Sequence, residues 1–104
     1  MYEDINSTEF EEKMSTDSNG VLLDVRTPEE HDLERIPNAL LIDIMDPEFK
    51  SRIEELDKSK NYYVYCRSGN RSGQACMYMQ NNGFDGELYN LAGGIMGWLG
   101  DIEK

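Results

Sequence analysis

The chain has 104 residues, 21 of them acidic and 10 basic, for a formal net charge of -11. That length predicts one domain, able to bury roughly two-thirds of its unfolded surface around a core of its own. The acidic balance argues against nucleic acid or an anionic membrane as partner, and two cysteines are too few for a disulfide framework. Met1-Tyr2-Glu3-Asp4 lacks the basic-then-apolar order of an export signal. No apolar run approaches the ~18 residues that cross a bilayer.

In chain order, Tyr2 to Ile5 reads as an edge strand, and Ser7 or Thr8 caps a first helix through Met14. Asn19-Gly20 bounds a strand, Val21-Leu22-Leu23-Asp24-Val25. Thr27-Pro28-Glu29-Glu30 opens a helix with Thr27 as cap, Pro28 at the first helical position and Glu30 closing a capping box. Ala39 to Ile42 is a second buried strand, and Asp46-Pro47 starts a helix carrying Phe49, Ile53 and Leu56 at helical spacing. Tyr62-Tyr63-Val64-Tyr65 is a strand that ends at Cys66. A helix follows from Arg71 to Asn82, stopped by Gly83, with Ala75, Cys76 and Met79 on its apolar stripe and Ser72 at the top of that face. Glu87-Leu88-Tyr89 is a last short strand, and Ile95 to Leu99 a final helical turn or two.

Strands alternating with helices predict an α/β fold, a parallel sheet of about five strands with helices on both faces. Ligands of such sheets sit outside the carboxyl ends of the strands. That rule gathers Asp24, Arg26, Asp43, Cys66 and the Ala92-Gly93-Gly94 turn on one rim.

The stretch between Cys66 and the helix beginning at Arg71 is Arg67-Ser68-Gly69-Asn70, short enough that it must curl tightly. Gly69 and Asn70 are the residues there that tolerate positive φ. Curling turns backbone N–H groups inward into an anion-binding nest, and the following helix adds its free N–H groups and the positive end of its dipole. A cysteine sulfur above such a nest is held as thiolate, with Arg67 and Arg71 adding positive charge and no general base required. That thiolate can attack a sulfane sulfur and keep it as a persulfide, while the nest holds the oxyanion of a sulfonate-type donor. The segment Lys58 to Phe84 contains no Asp or Glu and carries Lys58, Lys60, Arg67 and Arg71, so the surroundings of Cys66 are expected to be poor in carboxylates. A free thiol as the key group suits a reducing compartment, and a cytoplasmic location is expected.

Four segments together resemble a single-domain rhodanese over nearly the whole chain. Leu22 to Glu30 is similar to the family's Asp-Val-Arg motif with its short acidic helix. Glu34-Arg35-Ile36-Pro37-Asn38-Ala39 resembles its Gly-His-Ile-Pro-Gly-Ala turn, with Glu34, Arg35 and Asn38 as departures; Asn38 can still supply a left-handed turn. Cys66 to Ser72 resembles its active loop, and Leu91-Ala92-Gly93-Gly94-Ile95 with Trp98 its C-terminal signature. The resemblance implies a sulfurtransferase that carries a persulfide on Cys66. Thiosulfate or a persulfide would be the small anionic donor, and a thiol, a cyanide-like acceptor or a protein would take the sulfur. Arg67, Ser68, Gly69, Asn70, Arg71 and Ser72 would bind substrate, with Arg67 facing it and Arg71 either binding an anion or bracing the loop. Neither cofactor nor metal is implied. A dedicated carrier that hands sulfur only to a protein is the alternative. Phosphatase or arsenate-reductase relatives of the fold, which use a loop one residue longer, are a more distant one.

Asp24 and Arg26 either touch substrate or brace the loop, for instance through an Asp24–Arg71 ion pair. His31, the only histidine, is expected on a solvated helix face, and Cys76 in the core, too far along its helix to bridge Cys66. Tyr63 and Tyr65 share one sheet face and need partners for their hydroxyls, and Trp98 is expected to anchor the C-terminal turn.

Overall fold

The most strand-prone run of the sequence forms the middle of the sheet. In the computed structural model, which describes residues 1–104, the strands are β1 (Glu3–Ile5), β2 (Gly20–Asp24), β3 (Leu40–Leu41), β4 (Asn61–Tyr65) and β5 (Leu88–Leu91). All pair in parallel, in the spatial order β1-β5-β4-β2-β3. The helices are α1 (Ser7–Thr16), α2 (Pro28–Leu33), α3 (Phe49–Glu54) and α4 (Asn70–Gln80), followed by a 3-10 turn at Ile95–Gly97.

β4 is covered on both faces because successive side chains alternate across a strand. Tyr62, Val64 and Cys66 point into one core, with Ile53 of α3 and Ala75, Cys76 and Met79 of α4. Tyr63 and Tyr65 point into the other, with Phe10 of α1, Ile36 and Leu91. Trp98 packs edge-on against Phe10 at 5.9 Å between ring centroids, and so ties the C-terminal turn to α1. The Tyr63 hydroxyl donates to Asp17 Oδ2 at 2.7 Å.

Several element ends differ from expectation for local reasons. Asn6, not Ser7 or Thr8, caps α1, its Oδ1 accepting from Glu9 N at 2.9 Å, and the helix runs on to Thr16. Ser7 instead uses its hydroxyl to accept from Leu99 N at 2.9 Å. Asp46-Pro47 forms a turn ahead of α3 rather than its first residues, and Leu56 packs against the core from beyond the end of α3. The capping box of α2 is present as expected. Asn38 has φ +71°, so it supplies the left-handed residue of the middle turn.

Parallel pairing brings the carboxyl ends of β1, β2, β4 and β5 to one rim. Cys66 follows β4 on that rim, beside Val25 of the neighbouring strand end, whose N–H donates to Tyr65 O at 3.1 Å. No helix is long and apolar enough to cross a membrane.

Candidate active site

Only Arg67, Ser68 and Gly69 separate Cys66 from Asn70, the first residue of α4. Gly69 takes φ +103°, the conformation that lets so short a connection reverse, while Asn70 is already helical and needs no positive φ. The turn after β5 supports the loop from behind. Ile95 N donates to Cys66 O at 2.9 Å and Met96 N to Arg67 O at 3.2 Å. A Cβ on Gly94 would collide with the Arg67 carbonyl, which accounts for glycine there.

Gly69 sits at the N-cap of α4 and has no side chain to satisfy the free N–H groups of the first turn. Cys66 Sγ takes that place. It receives the Gly69 N–H at 3.1 Å and the hydroxyl of buried Ser72 at 3.3 Å. Burial by itself pushes the Cys66 thiol up, but the Ser72 hydroxyl and the N–H groups of Ser72, Gly69 and Ser68 outweigh it and hold the thiol below its ordinary value. The donors at this helix N-terminus therefore favour the thiolate form of Cys66, and no histidine hydrogen-bonds to it. Cys66 is also only 1 % exposed, so access to the sulfur is narrow.

The two arginines of the loop have different surroundings. Arg67 is exposed, makes no ion pair, and borders a cavity of about 290 Å³. Arg71 is clamped by Glu30 of α2 in a two-pronged pair, Nη1–Oε1 at 2.8 Å and Nη2–Oε2 at 2.9 Å. The Arg71 hydrogen bonds drive the Glu30 carboxyl down to about 2, against a smaller upward push from burial. Glu30 thus brings to Arg71 a carboxylate that the Lys58–Phe84 segment itself lacks.

Asp24 does not pair with Arg71. Fully buried, it accepts from Arg26 N and Nε through Oδ1, and from Arg26 Nη2 at 2.8 Å, His31 Nδ1 at 2.9 Å and the Tyr65 hydroxyl at 3.0 Å through Oδ2. Burial pushes the Asp24 carboxyl up, and the Arg26 and His31 hydrogen bonds more than reverse it. His31 is therefore not a solvated helix residue: it is a buried-side partner of Asp24, with Nδ1 as the donor because a carboxylate can only accept. From this cluster Arg26 Nη2 donates to Glu34 O at 2.7 Å, and the Tyr65 hydroxyl accepts from Ile36 N at 3.1 Å. The Asp24–Arg26 cluster braces the Glu34–Ile36 turn and makes no hydrogen bond to the Cys66 loop, so the expected bracing of that loop through an Asp24–Arg71 pair is not found.

One supporting residue had no sequence signal of its own. Asn90, the third residue of β5, donates through Nδ2 to Gly69 O at 3.0 Å and to Asp4 Oδ1 at 2.8 Å. It holds the carbonyl of Gly69, the residue whose N–H reaches the sulfur. Cys76 is the core residue expected: burial, with smaller contributions from Asp4 and Cys66, pushes its thiol up to about 12, which leaves it inert beside Cys66.

A rhodanese-like domain model matches residues 6–101 of the chain. A sulfurtransferase of Allochromatium vinosum is 36% identical over 99 residues, covering 94% of this chain and 89% of that protein. The Bacillus subtilis protein YrkF, provisionally named a sulfur carrier, is 32% identical over 100 residues, covering 96% of this chain and 52% of its own length. The crystal structure of a rhodanese-like domain protein from Staphylococcus aureus superposes with a TM-score of 0.80 at 32% identity, covering 97% of this chain and 93% of that one. A family match over most of the chain and relatives of full-length similarity lead to one conclusion: the chain belongs to the rhodanese-like sulfurtransferase family.

Proposed function

We propose that this protein moves a sulfane sulfur from thiosulfate or a persulfide donor to a thiol or cyanide-like acceptor, with Cys66 as the catalytic residue. The observation that carries the reading is the seat of the sulfur: Cys66 Sγ holds the capping position of α4, with Gly69 N–H at 3.1 Å and the Ser72 hydroxyl at 3.3 Å. In the first half-reaction the thiolate attacks the outer sulfur of thiosulfate. A new S–S bond forms on Cys66, the donor's S–S bond breaks, and its electron pair leaves with sulfite. The persulfide anion then lies among the N–H groups of Ser68 to Ser72, which are preorganised for negative charge. Arg67 meets the incoming anion, while Arg71, held by Glu30, fixes the start of the helix. In the second half-reaction the acceptor takes the outer sulfur and the electron pair returns to Cys66.

Steady-state turnover with thiosulfate and cyanide tests this. Wild type should release sulfite and thiocyanate together, and Cys66→Ser should release neither, because a serine hydroxyl is a poor nucleophile at neutral pH. Equal turnover by the two proteins would contradict the assignment. A second reading, in which the persulfide passes only to a protein acceptor, is favoured by the likeness to a protein named a sulfur carrier. It requires the first half-reaction without turnover on small acceptors. In both readings residues 1–104 act as one domain in a reducing, cytoplasmic compartment, where the thiol persists.

A further inference from the structure

The cavity beside the loop is bounded by Arg67 and Ile95, and the Ile95 N–H is bonded to the Cys66 carbonyl at 2.9 Å, so its wall is continuous with the support of the sulfur. Its volume of about 290 Å³ suits a molecule of amino-acid size. Four charged side chains border it, and two of them are already committed: Arg26 to Asp24 and the Glu34 carbonyl, Glu30 to Arg71. The other two, Arg67 and Glu34, are exposed and make no side-chain hydrogen bond or ion pair. Leu33 and Met96 complete the wall with exposed apolar surface, 75 % and 67 % respectively. One free cation, one free carboxylate and an apolar flank therefore face a single small volume at the catalytic loop.

We propose that this cavity is the acceptor subsite and that it selects a small zwitterionic aminothiol. The acceptor's carboxylate would pair with Arg67, its ammonium with Glu34, and its carbon skeleton would lie on Leu33 and Met96. Glu34 is the distinctive element, since the sequence places it where the family turn it resembles has glycine. The Glu34 carbonyl is held by Arg26 Nη2 at 2.7 Å, which fixes the backbone from which its side chain reaches the cavity. In the step concerned, the acceptor sulfur bonds the outer sulfur of the Cys66 persulfide, and the acceptor's thiol proton passes to that outer sulfur. The Cys66 S–S bond breaks with its electron pair retained on Cys66, and the product leaves as a hydropersulfide. No oxidant or reductant is needed. The proposal rests on the sulfurtransferase reading above.

The test uses wild type and Glu34→Gln with four acceptors: L-cysteine, cysteamine, 3-mercaptopropionate and 2-mercaptoethanol. Rates are corrected for each thiol's ionised fraction, and persulfide formation from thiosulfate is measured separately by mass spectrometry. Wild type should favour L-cysteine over 2-mercaptoethanol by about tenfold in kcat/KM, as one well-placed charge contact provides. Glu34→Gln should lower kcat/KM for L-cysteine and cysteamine several-fold, leave 2-mercaptoethanol unchanged, and leave 3-mercaptopropionate unchanged or improved. Unaltered thermal unfolding would show that the exposed substitution leaves the fold intact. If persulfide forms normally but Glu34→Gln treats all four thiols as wild type does, the acceptor subsite is wrong and the sulfurtransferase reading stands. If wild type forms no persulfide, both fall.

Discussion

At the scale of single residues, the central relation is between Cys66 and the donors around it. Ser72 supplies the one side-chain hydroxyl on the sulfur, at 3.3 Å. Ser72→Ala should move the pH midpoint of Cys66 alkylation upward, because the thiolate loses a donor while the burial that opposes it remains. Initial alkylation rates followed against pH read this directly, and an unmoved midpoint would assign the low value to the backbone alone. Cys76 behaves oppositely. Its thiol is pushed up to about 12 and it lies in the α4 core stripe. Cys76→Ser should keep most turnover and cost roughly 1–2 kcal/mol of stability through a buried hydroxyl with no partner, measured by urea unfolding. Loss of turnover in a folded Cys76→Ser protein would show that the mechanism uses two thiols.

At the scale of elements, α2 and α4 are joined through Glu30 and Arg71, and this joint is where pH should act. The folded Glu30 carboxyl lies near 2 against an ordinary 4.5. A depressed carboxyl contributes stability that is complete above its ordinary value and disappears as pH falls through the folded one. A shift of that size corresponds to about 3 kcal/mol, reduced to roughly 1–2 kcal/mol because both side chains remain 28% exposed. Wild type should therefore exceed Glu30→Gln in stability by that amount at about pH 6. The difference should shrink between pH 4.5 and 2, as unfolding at a series of pH values would show. The same joint marks the limit of what the sequence discloses. The α4 stripe of Ser72, Ala75, Cys76 and Met79, the capping box at Thr27 and the nest after β4 are local patterns, set by periodicity and turn chemistry, and all are present. The partners of Arg71, Asp24 and the Gly69 carbonyl are not local. Glu30 is 41 positions from Arg71 and Asn90 is 21 from Gly69, and only the packing of separate elements brings them together. An aspartate beside several cations in a sequence carries no mark of which one it meets. Asp24 therefore took Arg26 and His31 while Arg71 took Glu30.

At the scale of the whole molecule, the proposed function predicts that a dianionic donor meets net repulsion at long range and local attraction at the loop. The chain carries a formal -11, yet the Gly69 N–H meets the Cys66 sulfur and exposed Arg67 follows it in the loop. All 21 acidic residues lie outside the Lys58–Phe84 segment, and Glu30, which meets the loop at Arg71, is neutralised by it. Raising ionic strength from ~0.01 M to ~0.15 M shortens the Debye length from ~30 Å to ~8 Å and so removes the distant repulsion before the near attraction. kcat/KM for thiosulfate should rise or hold across that range, and Arg67→Ala should lower it at both ends. A steep fall with salt in wild type would place the dominant long-range field at the cations instead.

The most direct measurement of the central claim is the intact mass of the protein after incubation with thiosulfate and removal of small molecules, followed by peptide mapping. The account predicts one added sulfur atom, confined to the peptide bearing Cys66, discharged by cyanide, and absent from Cys66→Ser. A sulfur atom retained in Cys66→Ser, or mapped to Cys76, would contradict it.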